Sequence, residues 1–176
     1  MALLTAPVTL RTRGGSGETH AFPVTNGETI YNGSLVWLDN TTGRCTAGTP
    51  AGGTFSSDLA SGSNFRYDFL GLATPSGNSV TGDSGGTVLL PVNCGGVVIE
   101  GVMVKDATAA TNVGDYLFAS TNNVTADEDM KNAAATTNSR RAIGHIIRWH
   151  SSSNQDIKLY DADVSKVAGK TDHLVS

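Results

Sequence analysis

A chain of 176 residues, 39% hydrophobic and only 16% charged, with a formal charge of −4 and a pI near 5.4, has room for one ordinary domain with a core of its own. The acidic balance excludes the basic footprint that nucleic-acid binding needs to displace counterions from phosphate. No apolar run approaches the roughly 20 residues of a membrane helix, and residues 1–7 carry neither a basic leader nor a long apolar stretch, so a soluble protein assembled in a cytoplasm is expected, without nucleic-acid or membrane partners.

Glycine, present 21 times, shares most of the polar remainder with Ser, Thr and Asn. That mixture disfavours helices, because glycine costs helix stability and β-branched residues lose rotamer freedom there. The predicted fold class is all-β: a small antiparallel barrel or sandwich with an extended N-terminal arm and at most one short helix. Three segments are expected: a flexible arm over residues 1–25, a β-rich body over 26–162, and a tail over 163–176.

The arm carries Thr5, Thr9, Thr12 and Thr19 with Arg11 and Arg13, then Gly14-Gly15-Ser16-Gly17, and shows no sustained period. At Asn26-Gly27-Glu28 a turn opens Thr29-Ile30-Tyr31, and after Asn32-Gly33 the run Leu35-Val36-Trp37-Leu38 reads as a strand. Residues 46–64, rich in Gly, Ser, Thr and Ala, read as a long loop. Phe69-Leu70-Gly71-Leu72-Ala73 is apolar enough for a buried strand, with Gly71 allowing close backbone approach.

Thr81-Gly82-Asp83-Ser84-Gly85-Gly86 then leads into the most apolar part of the chain, residues 87–104. Val88-Leu89-Leu90 and Val97-Val98-Ile99 read as adjacent antiparallel strands around Cys94-Gly95-Gly96. Residues 105–113 have room for one helical turn, and Gly114-Asp115 opens the strand Tyr116-Leu117-Phe118-Ala119. Residues 126–135 form the one helix candidate, with a loop as the alternative. Residues 143–149 and 156–160 alternate as a closing hairpin, which places His145 on the core or interface side with Ile143, Ile147 and Trp149.

Several motifs are weighed for chemistry. GDSGG is the nucleophile signature of trypsin-like serine proteases, in which a His takes the serine proton, an Asp orients the His, and backbone N–H groups hold the oxyanion. His20, then Asp39, Asp58 or Asp68, then Ser84 stand in that chain order, but His20 lies in the arm and lacks the family's Ala-His-Cys surroundings. Gly27-Glu28, Gly82-Asp83 and Gly114-Asp115 each precede an apolar strand, so GDSGG also reads as one of three Gly-acidic turns whose carboxylates cap nearby N–H groups. Asp127-Glu128-Asp129 lacks EF-hand spacing and reads as a solvated acidic turn. Cys45 and Cys94 match no zinc or redox spacing and are expected reduced. No catalytic, metal or cofactor residue is assigned, no cofactor is expected, and the interface candidates are Arg11, Arg13, Trp149 and His150.

Taken together, the polar arm, Ile30-Tyr31-Asn32-Gly33-Ser34-Leu35-Val36, Phe69-Leu70-Gly71-Leu72-Ala73, the stretch 82–104, Gly114-Asp115-Tyr116-Leu117-Phe118 and Ala142-Ile143-Gly144-His145-Ile146 with its closing strand resemble the bacteriophage capsid decoration, or cement, proteins. The likeness spans residues 24–162. It implies a small β-rich virion protein on the outer capsid surface that clamps neighbouring major capsid proteins, without catalytic residues. A homotrimer at quasi-threefold positions is the expected assembly, since a capsid offers such sites and closed symmetry is the norm. The long 46–64 loop and the doubled glycines at 85–86 and 95–96 depart from the compact family pattern. The alternatives are a chymotrypsin-like protease using Ser84 and a glycan-binding surface module using Trp37 or Trp149.

Overall fold

A computed structural model describes residues 6–14, 18–39, 42–47, 69–102, 104, 109–119, 130–133 and 143–162. Among these, every strand pairs antiparallel with its neighbours in three sheets. A six-stranded sheet runs in the order β1 (Arg11–Arg13), β9 (Val98–Val102), β13 (Asn154–Leu159), β12 (Gly144–Ser151), β10 (Tyr116–Ala119) and β11 (Met130–Ala133). A five-stranded sheet runs β2 (Thr19–Pro23), β8 (Leu89–Asn93), β6 (Phe69–Ala73), β4 (Leu35–Asp39) and β5 (Arg44–Thr46). β3 (Thr29–Tyr31) and β7 (Ser79–Thr81) make a small third sheet. The fold is therefore mainly β, and the one helical element among the described residues is the 3₁₀ turn Ala110–Asn112, inside the stretch read as a single helical turn.

All five residues of β4 and all five of β6 are buried, as expected of continuous apolar runs covered on both faces. Two apolar layers result. Leu35, Trp37, Phe69 and Leu72 face a core shared with Ile99, Val102, Leu117, Ile146, Ile157 and Leu159 of the six-stranded sheet. Val36, Leu38, Leu70 and Ala73 face a second core with Phe22, Val24, Ile30, Leu90, Val92 and both cysteines. Phe69 and Leu72 stand three positions apart on one face because the pairing with β4 slips there: Val36 opposes Gly71, whereas Trp37 opposes Phe69. The extra residue is a bulge, and Gly71 absorbs it at φ 133, where a Cβ would run into the carbonyl oxygen of Asn93.

Several expectations are corrected. Within the expected arm, residues 11–13 pair with β9 and residues 19–23 with β8, so this segment supplies an outer strand to each large sheet. The alternation Arg11-Thr12-Arg13 fits a short edge strand whose charges discourage further pairing. β8 and β9 do not pair with each other. The chain crosses between sheets at residues 94–97, because Leu90 and Val92 fill one core and Ile99 and Val102 the other.

The helix candidate contains strand β11 at Met130–Ala133, since β10 offers an open ladder whose backbone groups it pairs. Residues 126–129, including the acidic run, lie outside the described residues, as do 48–64 of the long loop and the tail 163–176. The closing hairpin forms as β12 and β13, but His145 does not share a face with Ile143 and Trp149. The core takes Ile143 and Ile146 instead, and a bulge at Ile147 resets the alternation.

Cys45 and Cys94 are buried free thiols. Burial, reinforced by the charge of Glu28, pushes the Cys45 thiol up to about 12, and burial pushes Cys94 up to about 11. Neither thiol is expected to react with a disulfide reagent at pH 8 in the native protein, and both react after unfolding in guanidinium, as a thiol titration would read. Gly71→Val should destabilise the protein by about 3 kcal/mol or prevent folding, and Ile157→Ala by about 2 to 5 kcal/mol, both measurable by urea denaturation.

Candidate functional site

The GDSGG turn connects β7 to β8, and its polar groups hold the turn itself. Asp83 accepts hydrogen bonds from Thr87 N–H at 2.8 Å, Thr87 Oγ1 at 2.6 Å and Val88 N–H at 3.2 Å. These bonds, led by the Thr87 hydroxyl, hold the Asp83 carboxyl below its ordinary value. Arg44 reaches from β5 and donates to the carbonyl oxygens of Asp83 and Ser84, each at 2.9 Å. Gly82 N–H, one of the two donors an oxyanion hole would need, is already bound to Glu28 O at 2.9 Å, and Gly82 O accepts from Gly27 N–H at 3.0 Å.

Thus two of the three Gly-acidic turns lock onto each other. Asp83 caps nearby N–H groups as expected, but Glu28 reaches across to Thr46 Oγ1 and Ala47 N–H at 3.0 and 2.8 Å. Asp115 accepts from Asn112 Nδ2 at 3.0 Å, while its main chain joins β12 through Ile146 N–H.

Among the described residues no hydrogen bond joins Ser84 Oγ to a histidine. His20 pairs with Glu18 at 2.8 Å, His150 lies against Asp156, and the His145 ring leans on Tyr160 with centroids 5.5 Å apart. Asp39 holds Thr42 Oγ1 at 2.6 Å, and Asp58, Asp68 and His173 lie outside the described residues. Of the residues weighed for a glycan platform, Trp37 is fully buried against Phe69, and Trp149 is half-buried against the shared core.

The interface candidates fare differently. Three irregularities converge on the outer face of the six-stranded sheet. The bulge at Ile147 sets Arg148 opposite Asp156, a second one at His150 follows, and in β9 the residues Glu100 and Gly101 bulge opposite Asp156, with Gly101 at φ 73. Bulges re-aim side chains, and here they turn Trp149 inward while Arg148 and His150 join Arg11 and Arg13 of β1 on the outside.

At the centre lies Asp156, whose side chain is only 4% exposed. A carboxylate so placed needs donors. It receives Gly101 N–H at 3.2 Å and faces His150 Nε2 at 3.3 Å, with Arg13 and Arg148 guanidiniums at 3.7 and 3.9 Å. Arg13 is also ion-paired through Nε to Glu100. The result is an open groove of about 230 Å³ that Arg11, Arg148, His150 and Asn154 line around Asp156.

Arg11, Arg13 and His150 of the sequence-selected set therefore come together, and Trp149 does not. Arg148, Glu100 and Asp156 escaped selection. The signal available was the outward period of Arg148 and His150, hidden by the bulge. Comparison of the chain with protein-family models, curated proteins and solved structures finds no match in any of the three.

Ser84→Ala should change stability by less than about 0.5 kcal/mol, whereas Asp83→Asn should destabilise measurably. Because the folded-state value of Asp83 is depressed, its contribution is complete above the ordinary aspartate value of 3.8 and is lost as pH falls through the lower folded value. The difference in Tm between wild type and Asp83→Asn should hold constant from pH 7 to about 5 and narrow at more acidic pH.

Proposed function

We propose that this chain is a structural protein of a bacteriophage virion, seated on the outer surface of the capsid, where it cements neighbouring major capsid proteins. The reading starts from the family resemblance. The observation that carries it furthest is the exposed face on which three guanidiniums and an imidazole gather around two carboxylates, on a chain of net charge −4. A cationic patch on an acidic surface steers and orients association with a complementary partner. A cement protein docks repeatedly on identical sites, and such a patch gives register as well as affinity.

The proposed assembly is a homotrimer at quasi-threefold positions, since a capsid offers such sites and closed symmetry is the norm for oligomers. In this reading the GDSGG turn serves as a scaffold, because its amide, carbonyl and carboxylate groups are engaged in holding β7, β8 and β5 together.

Purified protein mixed with emptied, mature heads should cosediment to a fixed, saturable occupancy, and absence of cosedimentation would count against the reading. A fluorophosphonate probe should leave Ser84 unlabelled; labelling abolished by Ser84→Ala would favour the protease alternative.

A further inference from the structure

The groove on the outer face of the six-stranded sheet has a property that the cementing role alone does not require: two of its guanidinium groups are unsaturated. The Arg11 guanidinium makes no ion pair or hydrogen bond among the described residues. Arg148, with its side chain 59% exposed, comes no closer to a carboxylate than 3.9 Å, beyond hydrogen-bonding distance. Asp156 turns Oδ1 to Gly101 N–H and His150, while its Oδ2 lies between Arg13 and Arg148 at 3.7 and 3.9 Å, so a single oxygen is divided between two guanidiniums and none reaches Arg11. Glu100 is likewise taken by Arg13.

Two forks therefore face one groove from β1 and β12, the outermost of four consecutive strands and about 14 Å apart at the backbone. Asn154 and His150 add polar groups to the lining.

We propose that this groove is a carboxylate-binding cleft that seats an acidic side chain of a partner protein between Arg11 and Arg148. The proposal deepens the docking role and rests on it for the partner's identity. Guanidinium forks match carboxylates bidentately, so each fork can supply two parallel N–H donors. The volume of about 230 Å³ is below that of a typical small-molecule site and suits one or two side-chain carboxylates with water.

The choice of carboxylate over phosphate follows from the walls. Glu100 and Asp156 remain in the groove, and a dianion beside two carboxylates meets stronger repulsion than a single carboxylate does. A polyanionic nucleic acid meets in addition the net negative charge of the whole chain. Asp156 and His150 act as positioning residues: the buried carboxylate holds the ring and draws Arg148 over the cleft.

The test uses the full-length protein with an acetylated, amidated hexaglutamate peptide as probe, followed by backbone amide NMR at low salt. Saturable shifts confined to Gly101, Asn154, Asp156 and their neighbours are expected, lost at 0.5 M NaCl and absent with hexaglutamine. Arg11→Gln and Arg148→Gln should each weaken peptide binding at least fivefold. Lys158→Gln, which removes one positive charge from an exposed position on β13 outside the groove, should weaken it less than twofold. The arginines are exposed, and retained amide dispersion in each variant certifies the fold.

Equal weakening by all three variants, absence of saturable shifts, or inorganic phosphate binding more tightly than the peptide would each overturn the cleft. Cosedimentation with heads separates the two readings. Heads that bind wild type and the doubly substituted Arg11→Gln/Arg148→Gln protein alike sink the cleft and leave the cementing role, whereas peptide binding without head binding sinks the cementing role and leaves the cleft.

Discussion

Burial of both faces of β4 and β6 is the constraint on which the other elements depend. With all ten of their residues inside, each face must be covered by a separate apolar layer. The six-stranded sheet covers one, through Ile99, Ile146, Ile157 and Leu159. Phe22, Val24, Ile30, Leu90 and Val92 cover the other. A large side chain fully removed from water contributes roughly 1.5 to 3 kcal/mol, so a run of such positions outweighs any single turn or surface ion pair. The chain between residues 94 and 97 must then cross from one layer to the next, and the glycine bulge at 71 brings Phe69 and Leu72 onto the same core.

The outer face of the six-stranded sheet shows what happens when the inner face alone is under that constraint. Ile146 and Trp149 both meet the core although they stand three positions apart, and the ladder tolerates this by bulging at Ile147. The outward consequence is the pairing of Arg148 with Asp156. A second bulge at Glu100 and Gly101 presents an N–H to the same carboxylate. Packing on one side of the sheet thus sets the electrostatics on the other. The exposed arginines around Asp156 contribute little as surface ion pairs, but the Asp156 carboxylate is only 4% exposed, so these groups keep a buried charge supplied with donors.

The GDSGG turn illustrates how a short motif takes its meaning from its surroundings. A nucleophile needs a free amide to stabilise the oxyanion and a base within reach. Here Gly82 N–H is bonded to Glu28, the Asp83 carboxylate to Thr87 and Val88, and the turn carbonyls to Arg44. The same glycine and aspartate that spell the protease signature also make a compact turn with a capped strand entry.

The residue pattern by itself determined the all-β class, the closing hairpin of β12 and β13, the burial of β6 and the thiol character of Cys45 and Cys94, because apolar periodicity and turn chemistry act over a few residues; the burial of Trp37 in β4 came from the tertiary structure. It also marked Arg11, Arg13 and His150. Only the tertiary structure decided that residues 11–13 and 19–23 join different sheets, that β8 and β9 part company, that Met130–Ala133 is a strand, and that Arg148 and Asp156 complete the groove. Those outcomes depend on pairing between segments as far apart as β1 and β9, and on bulges that shift side-chain phase by one residue. Local pattern carries no term for either, since a strand's period is fixed but its register is chosen by the partner it meets.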